Sequence, residues 1–279
     1  MKIVRSIRLM REISRGQKSK GRSIGFVPTM GALHEGHLSL IRKAGKENNF
    51  LVVSIFVNPT QFGKMEDFKR YPRALEKDAL LCKRAGVDVI FYPSAKDMYP
   101  SECKTYVEVE DLNQVLCGNS RPGHFRGVAT VVTKLLNIVS PNRAYFGQKD
   151  AQQAVIIRKI VGDLNLSVKV EVLPTVRQAD GLALSSRNTY LKPQERIDAL
   201  GLFQSLKLAK DLIRQGKTDS SAIINSMRKL IRAKKNAKVD YIAIVDAQNL
   251  TPLRKVSGKC LIALAVWIGK TRLIDNLKI

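Results

Sequence analysis

The chain has 279 residues, of which 44% are hydrophobic and 26% charged; that is enough to bury a sizeable core and suggests two domains more readily than one. Its 48 Lys and Arg outweigh 24 Asp and Glu, giving a net charge of +24, a balance that invites a nucleic-acid reading. The longest unbroken apolar run, 261–268, is far below the roughly 20 residues that a membrane-spanning helix needs, so such a helix is excluded.

The positive charge does not gather in one tract. Residues 1–180 hold 29 basic and 17 acidic side chains, and residues 181–279 hold 19 and 7, so each part carries +12. In Met227-Arg228-Lys229-Leu230-Ile231-Arg232 the bases interleave with apolar positions, the pattern of a solvated helix face with an apolar stripe. We therefore expect no specific nucleic-acid partner. Cys82, Cys103, Cys117 and Cys260 have no C-x-x-C spacing and no histidine neighbours, so neither a disulfide framework nor a zinc ribbon is indicated.

Taken in chain order, the series Arg5, Arg8, Arg11, Arg15 reads as the polar face of a first helix rather than as a leader, with the first strand beginning near Arg22. Strand patterns at 24–27, 51–57, 87–91, 143–146 and 168–173 are separated by helical patterns at 37–47, 75–85, 128–139 and 151–163. Nearly continuous apolar strands between amphipathic helices predict a Rossmann-like α/β fold, a parallel sheet covered on both faces. After Pro174 the pattern changes. Helices are predicted over 194–215 and 220–235 and strands over 239–245 and 260–268, where Leu264, Val266 and Trp267 read as core. We expect a Rossmann-like domain over 1–176 and a smaller C-terminal α/β domain over 177–279.

Ligands of open parallel sheets bind beyond the carboxyl ends of the strands, and three such ends carry polar clusters here. The most specific is Met30-Gly31-Ala32-Leu33-His34-Glu35-Gly36-His37, an H-x-G-H signature between a strand and a helix. Unpaired backbone N–H groups and the dipole favour an anion at a helix start, Gly36 leaves room for a phosphate near the backbone, and each imidazole can donate to phosphate oxygens. Two histidines three residues apart are also found as zinc ligands or as ordinary polar residues at a helix start. Zinc is disfavoured because His124 lies far off beside no cysteine pair. The other two clusters are 58–62, which holds Gln61, and 147–153, which holds Lys149 and Gln153. Neutral amides suit hydroxyl and carboxylate groups without acting as acids.

Seven ordered blocks, spread over nearly the whole chain, resemble the pantoate:β-alanine ligases, a family of the H-x-G-H nucleotidyltransferase-like superfamily. They are 28–37, 53–62, Tyr71-Pro72-Arg73, 121–128, 146–153, 180–188 and Arg272-Leu273-Ile274-Asp275-Asn276. The resemblance implies ATP-dependent condensation of (R)-pantoate with β-alanine, giving pantothenate, AMP and pyrophosphate through a pantoyl adenylate. It implies catalytic roles for His34, His37, Lys149, Ser185, Ser186 and Arg187, with His37 as proton donor and the last four residues holding phosphates from the opposite side.

ATP contacts are implied along Met30 to His37, at Gly147, Gln148, Lys149, Asp150, Val176 and Leu184, and along Ser185 to Arg187. Gln61 and Gln153 match the pantoate-binding pair, Gln61 also lying near β-alanine, and Arg121 and His124 match residues near the reacting acyl group. Mg2+ with ATP, a cytoplasmic homodimer joined through the first domain, and closure of the second domain over the site are further implications. Two departures stand out: Gln148 replaces the glutamate of many members, and Lys64 and Met65 make the loop before Glu66-Asp67 less typical. Another nucleotidyl-transfer enzyme, a tRNA-charging enzyme or a basic nucleic-acid binder on a degenerate enzyme fold are the alternatives; the paired glutamines and the full donor set argue against them.

Overall fold

The computed structural model describes residues 1–63, 66–101 and 103–279; the departures at Lys64 and Met65 lie outside the described residues. The chain begins with β1 (Lys2–Val4), α1 (Ile7–Lys18), β2 (Ile24–Thr29), α2 (Glu35–Glu47), β3 (Phe50–Ile55), α3 (Leu75–Arg84) and β4 (Val89–Phe91). Two short helices, α4 (Ala95–Met98) and α5 (Cys117–Ser120), precede α6 (His124–Val139), β5 (Arg143–Gly147), α7 (Ala151–Asp163) and β6 (Lys169–Leu173). The C-terminal part adds α8 (Pro193–Asp198), α9 (Leu200–Arg214), α10 (Ser220–Arg232), β7 (Ala237–Asp246), β8 (Cys260–Ile268) and β9 (Thr271–Lys278).

Strands β1 to β6 form one sheet in the order β1-β4-β3-β2-β5-β6, every neighbouring pair parallel. The order reverses at β2, so the loops after β2 and β5 open at the switch point where such sheets take their ligands. Every residue of β3 is buried and only Pro28 of β2 is not, as expected of central strands covered on both faces. One face packs on α6, most of whose sixteen residues are buried, with Phe26, Val52, Phe91 and Phe146 beneath it. The other packs on α2 through Leu40, Ile41 and Ala44, against Val27, Val53 and Ile90.

The smaller sheet is antiparallel, β7-β8-β9. Its apolar face meets α9 and α10 in a second cluster around Leu206, Met227, Ile262 and Leu264, while Leu261 and Ala263 join the main core from the other face.

Several sequence expectations need correction. The first strand is β1, not one near Arg22; it is a three-residue edge strand beside β4, too short to show a period. The helix expected over 194–215 is broken at Ala199 into α8 and α9. Trp267 lies on β8 as expected, but it is 38% exposed rather than in the core; it shares a face with Leu261 and Ala263, which the main core covers, but stands near the far end of the strand between Lys238 and Arg272. Strand β9 had no counterpart in the periodicity: its residues Arg272, Asp275 and Asn276 interrupt the apolar run, and Asp275 and Asn276 are buried.

Candidate functional site

The turn after β2 is fixed before the first histidine is reached. Thr29 Oγ1 donates to Ser54 O at 2.7 Å and accepts from Gly31 N–H at 3.1 Å. Gly31 has φ +81°, and a Cβ there would stand 3.0 Å from both Asp78 Oδ2 and Ile55 Cγ2, so only glycine takes this position without strain. Asp78 of α3, 1% exposed, receives the N–H groups of Ala32 at 2.9 Å and Leu33 at 2.8 Å. One buried carboxylate thus holds the turn that aims the H-x-G-H helix start, and no local signal in the sequence marks it.

His34 is the N-cap of α2. Its Nδ1 accepts from Gly36 N–H at 3.1 Å, and His37 Nδ1 faces His34 N–H at 3.4 Å, so the two rings close a capping box with centroids 4.1 Å apart. The tautomers follow from the partners: each Nδ1 is an acceptor, so each Nε2 carries the proton. Burial, then the positive charge of Lys149, lowers the His34 pKa to about 4. Burial, then the neighbouring His34, lowers that of His37 to about 3. Both imidazoles are neutral at pH 7 and present Nε2–H as a donor. Glu35 between them is exposed and pairs with Arg42, so of this segment its side chain turns away.

Gln61 ends the short helical turn Pro59–Gln61, capped by Asn58. Asn58 is 1% exposed; its Nδ2 donates to Gln61 Oε1 at 3.0 Å and to Gly127 O at 3.1 Å. Gln61 Nε2 in turn donates to Met30 Sδ at 3.2 Å, tying the glutamine to the segment before the histidines. Helix α6 packs directly on this turn, because a Cβ at Gly127 would sit 2.4 Å from Thr60 O. Asn58 opens the polar cluster 58–62, but its role rests on these long-range contacts.

Arg121 and His124 meet the same glutamine from the other side. His124 Nδ1–H donates to Gln61 O at 2.8 Å, and Arg121 Nη1 donates to His124 Nε2 at 2.9 Å; this ring therefore has the opposite tautomer to the motif pair. Burial, then Arg121, lowers its pKa to about 4. Glu66 grips Arg121 at two points, 2.7 and 2.5 Å. Just before Arg121, Ser120 Oγ donates to Asp240 at 2.9 Å, and Asp240 is paired with Arg272 of β9.

A cavity of about 560 Å³ is lined by Gln61, Arg121, His124, Lys149, Gln153 and Arg187, among others. His34 and His37 are not among its walls, although Lys149, which is, adds its positive charge to the lowering of both ring pKa values. Lys149 Nζ lies 3.6 Å from Asp150 Oδ1. Gly147 has open space where a Cβ would be. Val176 O accepts from Leu184 N–H at 3.0 Å, and Leu184 lies beside the Gly36 backbone. Ser185 caps the turn Ser186–Tyr190, Ser186 Oγ is 3.3 Å from Tyr71 Oη, and Arg187 binds Asp67. Of the expected residues, Gln61, Arg121, His124, Lys149, Asp150, Gln153, Ser185 and Arg187 line this one cavity, while residues 30–37, Gly147, Gln148, Val176, Leu184 and Ser186 do not; Glu66, Asp67, Asp78 and Asn58 are the additions.

A parallel sheet whose switch point gathers a doubly capped H-x-G-H helix start, a lysine and a paired arginine defines a nucleotide-activating enzyme. A family model described as pantoate-beta-alanine ligase matches residues 2–278. Curated relatives include the pantothenate synthetase of Moorella thermoacetica, 55% identical over 276 residues, 99% of this chain and 98% of that protein. That of Thermotoga petrophila is 54% identical over 276 residues, 99% of each.

Among solved structures, pantothenate synthetase from Thermus thermophilus superposes with a TM-score of 0.94 at 44% identity, covering 99% of both chains. A pantoate-beta-alanine ligase from Francisella tularensis, complexed with beta-gamma ATP and beta-alanine, gives 0.81 at 40% identity, covering 99% of this chain and 97% of that one. The chain belongs to the pantoate-beta-alanine ligase family.

Proposed function

We propose that the residues around Gln61, Lys149 and the H-x-G-H helix start carry both halves of the family's reaction, the ATP-dependent condensation of (R)-pantoate with β-alanine. A carboxylate is a poor acyl electrophile and must first gain a leaving group. In the first half, a pantoate carboxylate oxygen attacks the α-phosphorus; the bond to the β-phosphate bridge breaks and pyrophosphate departs, leaving pantoyl adenylate. In the second, the β-alanine amine attacks the acyl carbon, the C–N bond forms, AMP leaves with the electron pair of the C–O bond, and the nitrogen loses its proton.

Charge develops on phosphate oxygens in the first half, so preorganised donors are the main source of acceleration. His34 and His37 supply Nε2–H donors, and His37 lies at the departing phosphates as the resemblance implies. Lys149, Ser185, Ser186 and Arg187 act from the other side. Gly147, Gln148, Asp150, Val176 and Leu184 surround the nucleoside, with Met30 to Leu33 giving backbone contacts. Gln61 and Gln153 bind the hydroxyl and carboxylate groups of pantoate, and Arg121 with His124 steadies Gln61 near the acyl carbon. The observation that carries this reading is the commitment of both motif Nδ1 atoms to backbone N–H groups, which leaves their Nε2–H groups for a ligand.

Mg2+ accompanying ATP would be held chiefly by the phosphates and water, with few protein ligands. Mg2+ bound there would neutralise phosphate charge. We further take 1–176 and 177–279 as the two domains, the second closing over the first, in a cytoplasmic homodimer joined through the first domain; membership in the family supports this. No helix among the described residues is long and apolar enough to cross a membrane.

The direct test is product analysis with ATP, Mg2+, (R)-pantoate and β-alanine. AMP and pyrophosphate in equal amounts with pantothenate are expected, whereas ADP with phosphate would contradict the adenylate route.

A further inference from the structure

The block Arg272 to Asn276 stands out in the sequence but takes no part in the mechanism above. On β9, Asn276 Nδ2 donates to two successive backbone carbonyls, Gln148 O and Lys149 O, both at 2.9 Å, while its Oδ1 accepts from Gln148 Nε2 at 3.0 Å. All the polar capacity of this 5% exposed amide that the structure pairs is thus spent on the loop that carries Lys149. Its neighbour Asp275, 3% exposed, binds Arg177 at two points, 2.6 and 2.8 Å. Arg177 Nη1 also donates to Gly181 O at 3.0 Å, and Asp275 Oδ1 accepts Asn276 N–H at 2.8 Å. Gly181 opens the stretch that leads to Ser185, Ser186 and Arg187.

Successive residues of a strand point to opposite sides, so a two-residue step on β9 reaches both loops at once. We propose that Asp275 and Asn276 are positioning residues that hold the Lys149 loop and the Ser185–Arg187 stretch in register, setting the distance between the two sides of the phosphate clamp. This rests on the phosphate roles given above to Lys149 and Arg187. Hydrogen bonds to carbonyls fix the backbone rather than the ammonium itself, so loss of Asn276 displaces Lys149 without removing its charge. A displacement of about 1 Å at a reacting group costs on the order of 100-fold in rate.

Asn276→Asp keeps the shape and removes the donor, and Asn276→Ala removes both. Two measurements test them: pyrophosphate–ATP exchange in the presence of pantoate, and deuterium uptake by peptides covering 147–152. Both variants should lose exchange turnover on the order of 100-fold with a smaller change in KM for pantoate, and 147–152 should take up deuterium faster while β2 and β3 do not. Adding Asn276→Asp to Lys149→Ala should cost no more than about twofold beyond Lys149→Ala alone, since residues acting through one group are non-additive.

Multiplicative losses, or unchanged deuterium uptake at 147–152, would overturn the positioning role. Full exchange in Lys149→Ala alone would instead sink the phosphate reading, and deuterium uptake would then decide the proposal by itself. Should the Asn276 variants not fold, Gln148→Ala removes one partner of the same amide and should accelerate uptake at 147–152; unchanged uptake there counts against the proposal.

Discussion

Asp67 closes a two-point ion pair on Arg187, Oδ1 to Nη2 and Oδ2 to Nε, both at 2.9 Å. The pair occupies one edge of the guanidinium and leaves the Nη1 end with its donors, so Asp67 orients the arginine toward the cavity as well as neutralising it. Its carboxyl is itself held below the ordinary range: burial opposes the ionised form, but the hydrogen bond and charge of Arg187 outweigh it. Asp67→Ala should raise KM for ATP roughly tenfold, about 1.4 kcal/mol, with KM for β-alanine nearly unchanged. A lower KM for ATP would mean that Asp67 competes with phosphate rather than orienting its partner.

His37→Ala and Lys149→Ala should each remove most adenylate formation. Loss of one preorganised donor raises a barrier by about 2.7 to 4 kcal/mol, which is two to three powers of ten in turnover. Neither residue is fully buried, so circular dichroism should stay close to that of the parent. Near-parental turnover in either variant would remove its assigned role.

The motif histidines give two pH predictions. With pKa values lowered to about 4 and about 3, they stay neutral in the folded protein from pH 8 to pH 5.5, and kcat/KM for ATP should show no ionisation near 6.5 that disappears in His37→Gln. Stability behaves differently. The unfolded chain gains protons on these histidines below about 6.5 and the folded chain does not until about 4, so stability is complete above 6.5 and falls as pH drops toward 4. His124, lowered to about 4 by burial and then Arg121, adds to the same trend. Urea midpoints should therefore decline between pH 7.5 and pH 5, a window above the titration of the paired carboxylates Glu66 and Asp67, both held low. Equal midpoints across that window would refute the assignment of neutral histidines in the folded protein.

Asp78 joins α3 to the turn that precedes His34. Asp78→Ala strands the N–H groups of Ala32 and Leu33 and should destabilise the protein by about 1 to 3 kcal/mol, seen as a lower urea midpoint. Adenylate formation should fall further than stability predicts, because the turn that aims α2 is released. Loss of stability with full activity would leave Asp78 a purely structural anchor.

Much of the fold was legible because its central strands are continuous apolar runs. β2, β3, β5 and β6 lie within a residue or two of the expected spans, as do α2, α3 and α7. β1 was not legible: three residues beside an arginine-rich helix carry no period. Nor was β9, where buried Asp275 and Asn276 imitate a polar loop. Among the candidate site residues, the H-x-G-H segment, Gln61 and Lys149 were singled out from their places at strand ends, whereas Ser185 to Arg187 came only through the resemblance. The roles of Asp67, Asp78 and Asn276 were not legible, although Asn276 lies in a matched block, because each acts on a partner distant in sequence: Arg187, Leu33 and Lys149. A carboxylate that receives two backbone N–H groups across a fold looks, in sequence, like any acid on a helix.

The central claim is that the acyl adenylate forms before the amine attacks, with Gln61 and Gln153 reading pantoate. Enzyme supplied with ATP, Mg2+, (R)-pantoate and labelled pyrophosphate should return label to ATP without β-alanine, and omission of pantoate should abolish the exchange. An amide left unpaired by an analogue lacking the hydroxyl costs roughly 1 to 3 kcal/mol, so Gln61→Ala and Gln153→Ala should weaken pantoate use more than ATP use. Exchange that is equally fast without pantoate, or that requires β-alanine, would contradict the account.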